Sequence, residues 1–205
     1  MQMKLGDNKP GFYAIASPPD GRNVLSFLIK ETESNQFLTK LAENKDVVEM
    51  SLPQGKGFQY AEYFDKYKYE FPTTNVLLMA CGSGLAPIAS AIDSNSLGLN
   101  SVSYNSLYPR KAKLYLGVRT SKHIPYQHKF KEWEQKGVTV IPSLSQPDDL
   151  WKGCVGYIQD VLVKDTVTTP KNSAALLCGQ RGMTDAVKKL LLEVGVFEGR
   201  ILTNF

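Results

Sequence analysis

An α/β fold built on a parallel five-stranded sheet is the class the sequence predicts, with a smaller antiparallel β segment ahead of it. Three observations lead there. From Phe71 onward, short apolar runs alternate with stretches of helical periodicity, the pattern of a sheet covered on both faces. Two of those runs break off at a Cys-Gly pair, Cys81-Gly82 and Cys178-Gly179, and a helical stretch follows each. Before Phe71 the rhythm differs: β-prone runs are parted by turn residues, and no long helix is readable.

In residues 1–70, Gly11–Ser17 and Asn23–Lys30 read as strands. Between them Pro18-Pro19-Asp20-Gly21 is turn chemistry, since proline presets φ and Asp-Gly accepts the dihedrals of a tight hairpin. Gln36–Leu41 reads as a short helix and Val47–Leu52 as a strand that stops at Pro53. Two or three strands with one helix make a thin core. In residues 71–205, strands are expected at Val76–Ala80, Lys113–Val118, Val138–Ile141, Ala174–Cys178 and Arg200–Leu202. Helices are expected near Pro87–Ile92, Tyr126–Lys136, Tyr157–Val163 and Thr184–Val194. In the last of these, Ala186, Val187, Leu190, Leu191 and Val194 fall on one helical face. The stretch after Asp93, uncharged as far as Tyr108, reads as a surface loop.

Composition narrows the function classes. The chain has 205 residues, 42% apolar and 21% charged, which excludes a disordered or collagen-like chain. Its net charge of +4 is spread as nine basic and ten acidic groups in 1–70, and fifteen and ten in 71–205. That excess is too weak to imply a nucleic-acid partner. Cys81, Cys154 and Cys178 show no CxxC spacing, so neither a zinc ribbon nor a disulfide framework is expected, and no metal site is assigned. The first residues lack the apolar stretch of a signal peptide. The uncharged run Phe71–Ile92 is broken by Thr73, Thr74, Asn75, Gly82, Ser83, Gly84 and Pro87, which makes it a poor membrane span. A soluble, intracellular chain is expected.

The strongest local signal is the apolar run Asn75–Cys81 entering Gly82-Ser83-Gly84-Leu85-Ala86-Pro87. Glycines at the carboxyl end of a strand let backbone N–H groups approach a phosphate, and the following helix N-terminus adds donors and partial positive charge. Proline in the first helical turn loses no helical bond. The same residues also read as an ordinary glycine-rich turn, since the third glycine of the dinucleotide fingerprint is absent. Cys178, in turn, reads equally well as a small buried hydrophobe.

Taken together, Gly82-Ser83-Gly84-Leu85-Ala86-Pro87, then Leu116-Gly117-Val118-Arg119-Thr120, then Cys178-Gly179 with Gly182-Met183, and a final Asn204-Phe205 resemble the ferredoxin–NADP reductase superfamily. More narrowly they are similar to its plant FAD/NAD(P)-binding oxidoreductase-like proteins. The resemblance covers residues 71–205, and residues 10–58 match as later strands of the flavin-binding barrel. It implies a Rossmann-like NAD(P)-binding domain over 71–205, preceded by part of an antiparallel FAD-binding β-barrel over 1–70. It also implies a flavin-dependent NAD(P)H oxidoreductase, passing electrons between a nicotinamide nucleotide and an unknown acceptor, small molecule or protein, through FAD.

Residue by residue, the resemblance puts Gly82–Pro87 under the nucleotide's pyrophosphate. Arg119 and Thr120 lie near the adenosine end, with Ser145 and Tyr157 beside them. Cys178 and Gly179, followed by Gly182 and Met183, lie at the nicotinamide, and Phe205 stacks on the flavin. Cys178 and Phe205 are thus the residues assigned to the reacting centre. Tyr13, Ala14 and Ser17 would contact the flavin, with Leu28, Ile29 and Lys30 beside its ribityl and phosphate part. The cofactors carry the hydride and electron chemistry, so no side-chain acid or base is required. His123 and His128 lie outside these motifs and read as surface residues.

Several departures from the family pattern bear on these expectations. The flavin motif Arg-x-Tyr-Ser/Thr reads here Gly11-Phe12-Tyr13-Ala14, without the arginine or the hydroxyl. No glycine-led phosphate turn is readable at Glu33–Phe37. The chain also starts where the family's barrel is half built. Two other function classes therefore stand beside the enzyme: a dinucleotide-binding or regulatory module that has lost flavin chemistry, and a pure interaction protein. For NADH against NADPH, Ser145 is followed by Gln146 rather than arginine, although Tyr157 is suitably placed. Asp148 and Asp149 would repel a 2′-phosphate while Arg119 and Lys122 would attract one, and the balance leans to NADH. Gly84→Val is expected to block the pyrophosphate with little loss of fold. Plant members are often plastid proteins, so a chloroplast location is implied if the chain follows them, and the cytoplasm otherwise.

Overall fold

The structure, a computed structural model, describes residues 1–4, 10–36, 38, 48–65, 69–100 and 109–204. Gln2–Lys4 (β1) pairs antiparallel with Gly11–Phe12 (β2) on one side and with Glu49–Met50 (β3) on the other. The strands expected at Gly11–Ser17 and Asn23–Lys30 are shorter than the sequence suggests. Beyond β2 they reduce to one antiparallel bridge, Ile15 with Phe27, beside the bond from Ala16 N–H to Ser26 O at 2.7 Å. Pro18 and Pro19 offer no N–H to a ladder, and Gly21 turns at φ +76°. The strand expected at Val47–Leu52 contracts to β3, and Val47 lies outside the described residues. Most of the helix expected at Gln36–Leu41 lies outside them too. Before it, a 3-10 turn at Glu33–Asn35 is closed by a capping box, in which Thr32 N–H donates to Asn35 Oδ1 at 2.7 Å.

Tyr60–Asp65 (α1) is a helix too short for its periodicity to show in the sequence. It is fixed by Phe64, which is buried in the main core. The main sheet then follows, strand and helix alternating except between its third and fourth strands. Its elements are Asn75–Cys81 (β4), Leu85–Asp93 (α2), Lys111–Val118 (β5), Phe130–Gln135 (α3), Val138–Leu144 (β6), Cys154–Val155 (β7), Ile158–Asp165 (α4), Ser173–Cys178 (β8), Arg181–Glu193 (α5) and Ile201–Thr203 (β9). The strands are all parallel in the order β7-β6-β5-β4-β8-β9. Five of the six are the expected ones. The sixth, β7, is a two-residue edge strand, too short to leave a period in the sequence.

Alternation along the strands divides the core between the two faces of the sheet. Val76, Leu78, Leu114, Leu116 and Leu176 meet Ile88 and Ile92 of α2 and Trp133 of α3. On the opposite face Leu77, Met79, Tyr115 and Leu177 meet Ile158 and Leu162 of α4 and Val187 and Leu191 of α5. Each of these larger side chains contributes about 1.5–3 kcal/mol by leaving water. The first face is also pinned by Asp93, which accepts from Lys129 Nζ at 2.5 Å and from Trp133 Nε1 at 2.8 Å. The segment expected as a surface loop after Asp93 is not wholly one: Leu97 is fully buried, and residues 101–108 lie outside the described ones.

The chain enters β4 through a clamped segment. Arg200, 2% exposed, donates to Phe71 O at 2.5 Å and to Lys171 O at 2.8 Å. Asn172 Nδ2 donates to Pro72 O at 2.8 Å, and Arg110 Nε donates to Thr73 O at 3.0 Å. Tyr69 and Phe197 stack with ring centroids 4.1 Å apart beneath the Arg200 guanidinium. Among the described residues, no helix is long and apolar enough to cross a membrane.

Candidate functional site

From β4 the chain proceeds to β5, β6 and β7 on one side, then crosses to β8 and β9 on the other. The loops that leave β4 and β8 therefore diverge at their carboxyl ends, and a crevice opens between them. In open α/β sheets this reversal is where ligands bind. Cys81-Gly82 and Cys178-Gly179 stand on either side of it, because Ala80 and Cys178 are register partners.

The two glycines of the first loop have opposite duties. Gly82 adopts φ +55°, and apart from its chain neighbours nothing lies within 4 Å of where its Cβ would be. A ligand can thus reach its backbone. Gly84 is buried, and a Cβ on it would fall 2.3 Å from the carbonyl oxygen of Cys178. Gly84 therefore joins the β4 loop to the end of β8, and the expectation that Gly84→Val spares the fold is corrected on that contact. Leu85, Ala86 and Pro87 are buried and seat α2 against the sheet, whereas Ser83 is exposed at the mouth. Helix α2 has no side-chain cap, and neither has α5; Leu85 N–H turns back to Gly82 O and Met183 N–H to Gln180 O, so only part of each first turn is left for a ligand or water.

Around the second loop, burial pushes the Cys178 thiol up to about 11, against the opposing effect of its hydrogen bond with Asn204. The Cys81 thiol is likewise raised to about 11, by burial and then by the neighbouring Cys178. The two side chains join opposite faces of the sheet. A Cβ on Gly117 would lie 3.0 Å from Cys81 Sγ, and one on Gly179 would lie 2.9 Å from Cys81 Cβ. Three strand ends thus close around Cys81 because Gly117 and Gly179 carry no side chain. Gly182 is exposed with open space at its Cα, while Met183 is buried and its methyl lies against Gly179.

On the other side of the crevice, the loops after β5 and β6 are zipped together. Ser145 N–H donates to Val118 O at 3.1 Å and Gln146 N–H to Arg119 O at 2.8 Å. Thr120 Oγ1 pairs with His123 Nδ1 at 2.7 Å, and Ser121 Oγ donates to Asp148 Oδ2 at 2.9 Å. Arg119 and Ser145 are exposed, and Tyr157, 65% exposed, precedes α4 on the same edge. The Ser121–Asp148 link joins residues far apart in the chain, and no local sequence pattern announces it.

The structure thus gathers Gly82, Ser83, Gly84, Leu85, Ala86, Pro87, Arg119, Thr120, Ser145, Tyr157, Cys178, Gly179, Gly182 and Met183 along one sheet edge. The residues expected at a flavin are arranged differently. Tyr13 folds its ring over Gly11, whose Cβ would fall 2.5 Å from the tyrosine oxygen. Ser17 Oγ accepts from Ser26 N–H at 3.1 Å, and Ser17 O accepts from Ser90 Oγ of α2 at 2.8 Å. Ser90 is six residues along α2 from Gly84, about 9 Å of helix rise. Ala14 and Ile29 are half-buried and Lys30 is exposed. Phe205 lies outside the described residues.

The open Gly82 backbone and the two uncapped helix ends fit a dinucleotide pyrophosphate. The polar groups of residues 10–36 do not form a comparable cradle for a flavin phosphate. The Ser17 hydroxyl is engaged within its own hairpin, and Lys30 is the one cation among residues 23–36.

Comparison with known proteins agrees with this geometry. The oxidoreductase NAD-binding domain family matches residues 78–189, more than half of the chain. The fruit protein pKIWI502 of Actinidia deliciosa is 34% identical over 202 residues, which is 96% of this chain and 60% of that protein. One component of the Na(+)-translocating NADH-quinone reductase of Haemophilus influenzae is 26% identical over 161 residues, 75% of this chain and 38% of that component. The chain therefore spans less than two thirds of these relatives. The CS-b5R domains of human Ncb5or, in their NAD+ form, share the fold at TM-score 0.74 and 20% identity, covering 100% of this chain and 59% of that one. A ferredoxin NADP+ reductase from Neisseria gonorrhoeae with bound FAD and NADP does so at TM-score 0.71 and 15% identity, covering 99% and 83%. By strand order and family match, this chain belongs to the oxidoreductase NAD-binding domain family and has the ferredoxin–NADP reductase-like fold.

Proposed function

We propose that the chain binds a nicotinamide dinucleotide across the strand reversal and serves an NAD(P)H oxidoreductase that passes electrons through FAD to an acceptor. The observation that carries the reading is the crevice between Gly82 and Gly179, with an uncapped helix following on each side. Gly82 and Ser83, at the entry to α2, would hold the pyrophosphate by backbone donors. Arg119, Thr120, Ser145 and Tyr157 would line the adenosine half. Cys178, Gly179, Gly182 and Met183 would flank the nicotinamide, which supplies a hydride when bound. In this reading Cys178 acts by shape and by exclusion of water, since burial keeps it a thiol, and Gly179 leaves room for Cys81 and the Met183 methyl behind it.

FAD as the next carrier is supported by the family resemblance and by the gonococcal reductase, which holds FAD in a like fold. No step is assigned to it, because the hydroxyl of Ser17 is already engaged and Tyr13 covers Gly11. Those engaged groups favour a second reading, a dinucleotide-binding or regulatory module without flavin. Residues 1–70 and 71–205 are the proposed flavin and nucleotide parts. A chloroplast location belongs to the same resemblance, the kiwifruit relative being a plant protein.

The test is an absorbance spectrum over roughly 300–550 nm after incubation with FAD and desalting, followed by titration with NADH and NADPH. Retained flavin that bleaches with a reduced nicotinamide supports the enzyme. A colourless chain that binds the nucleotide supports the module. A chain that binds neither defeats both.

A further inference from the structure

We propose that Arg200 is a positioning residue: by fixing the start of β9, it sets where Asn204 stands against Cys178 at the mouth of the crevice. That this mouth receives the nicotinamide rests on the dinucleotide reading above. Strand β9 lies at the edge of the sheet and pairs with β8 alone. Their ladder is three pairs long, Ala175 with Ile201, Leu176 with Leu202 and Leu177 with Thr203. Continued by one residue, the same register brings Asn204 beside Cys178, and a hydrogen bond joins the two side chains. An edge ladder this short opens easily. Burial of Ile201 holds β9 to the sheet, but apolar contact has no direction and does not set the strand's position along β8.

Arg200 supplies the fixed point, immediately before the first ladder pair. Its guanidinium donates to Phe71 O at 2.5 Å and to Lys171 O at 2.8 Å. Phe71 leads into β4 and Lys171 into β8, so one planar group ties together the amino ends of three strands. Beneath it Tyr69 stacks on Phe197, and a Cβ on Gly199 would fall 2.6 Å from the Tyr69 hydroxyl. Glycine at position 199 is what lets the ring reach this place. All of these contacts lie at the amino ends of the strands, whereas the crevice opens at their carboxyl ends.

The residue is a costly choice if stability were its whole purpose. Arg200 is 2% exposed, its Nε has no partner, and it makes no ion pair among the described residues. A buried cation without a carboxylate contributes less stability than a well-packed apolar side chain of similar volume. What the guanidinium adds is direction, because its rigid fork fixes two carbonyls at once. The effect reaches the crevice along β9, through the three ladder pairs that separate Arg200 from Asn204.

Alkylation of the purified chain with iodoacetamide tests this, each cysteine being followed by digestion and mass spectrometry. Cys81, Cys154 and Cys178 lie on β4, β7 and β8, so general loosening speeds all three, whereas release of β9 speeds Cys178 alone. Burial outweighs the Asn204 bond in its effect on the Cys178 thiol, so release makes that thiol more reactive. Arg200→Gln is expected to raise the Cys178 rate about tenfold, with Cys81 and Cys154 within about twofold. Arg200→Lys, which keeps the charge without the fork, raises it about threefold and decides the matter should Arg200→Gln not fold. Asn172→Ala frees Pro72 O in the same segment without touching β9, and is expected to leave Cys178 within about twofold. Equal acceleration of all three cysteines, a Cys178 rate that Arg200→Lys leaves unchanged, or the same rise in Asn172→Ala overturns the proposal. Titration of the unaltered chain with NADH and NADPH is read separately: binding of neither overturns the dinucleotide reading and the nicotinamide assignment, while the alkylation pattern still judges the anchor.

Discussion

In the parallel sheet β4 is paired along nearly its whole length on both sides, and Val76, Leu78, Met79 and Ala80 are fully buried. In the antiparallel sheet β1 meets each neighbour over a short stretch, and Phe12 and Met50 are 71% and 52% exposed. The contrast teaches where the stability of this chain resides. Burial around β4 fixes the crevice, while residues 10–36 take their position from the larger core, through Leu28 packed against it and Ser17 bonded to α2.

The largest test of that contrast is Gly84→Val. Forcing a side chain into the Cys178 carbonyl is expected to cost at least ~3 kcal/mol, seen as a lowered urea midpoint or loss of folded protein. A stable Gly84→Val chain would break the account of the β4–β8 contact. Leu78→Ala, in the centre of the buried strand, should cost about 3 kcal/mol in the same assay. Gly82→Ala separates site from scaffold: its φ of +55° makes alanine unfavourable by about 1 kcal/mol. The added methyl also projects into open space, so nucleotide affinity should fall by more than the stability does.

A smaller effect should appear with alkali. The Cys81 and Cys178 thiols are held at about 11 by burial, above their ordinary value. The folded state therefore binds these protons more tightly than the unfolded chain. Their contribution is present below the ordinary thiol range and is lost as pH rises through about 11. Comparing the pH profile of the urea midpoint with that of Cys81→Ala should show the variant losing less between pH 9 and pH 11, roughly that window. Smallest of all, Phe12→Ser on the exposed sheet should change stability by less than ~0.5 kcal/mol. A larger loss would mean that the antiparallel sheet supports the core after all.

Much of this was legible in the sequence for a physical reason. Strands buried on both faces are continuous apolar runs, so β4 and β8 declare themselves, and their Cys-Gly endings locate the crevice. The strand β7 did not, because two residues carry no period. Nor does the sequence distinguish Gly82 from Gly84. One meets open space and the other a carbonyl from β8, and that difference lies in a contact between distant parts of the chain. The Ser121–Asp148 link was hidden in the same way. In the N-terminal part the apolar runs were visible, but half-exposed segments with two prolines do not sustain the ladder that β propensity suggests.

Burial of the two crevice thiols has one more consequence. Thiolate rather than thiol attacks alkylating agents and peroxide, and burial raises both groups to about 11, well above neutral pH. Sulfur at this mouth is therefore slow to form sulfenic acid or mixed disulfides. A crevice that receives reducing equivalents would be walled by sulfur atoms that remain chemical bystanders.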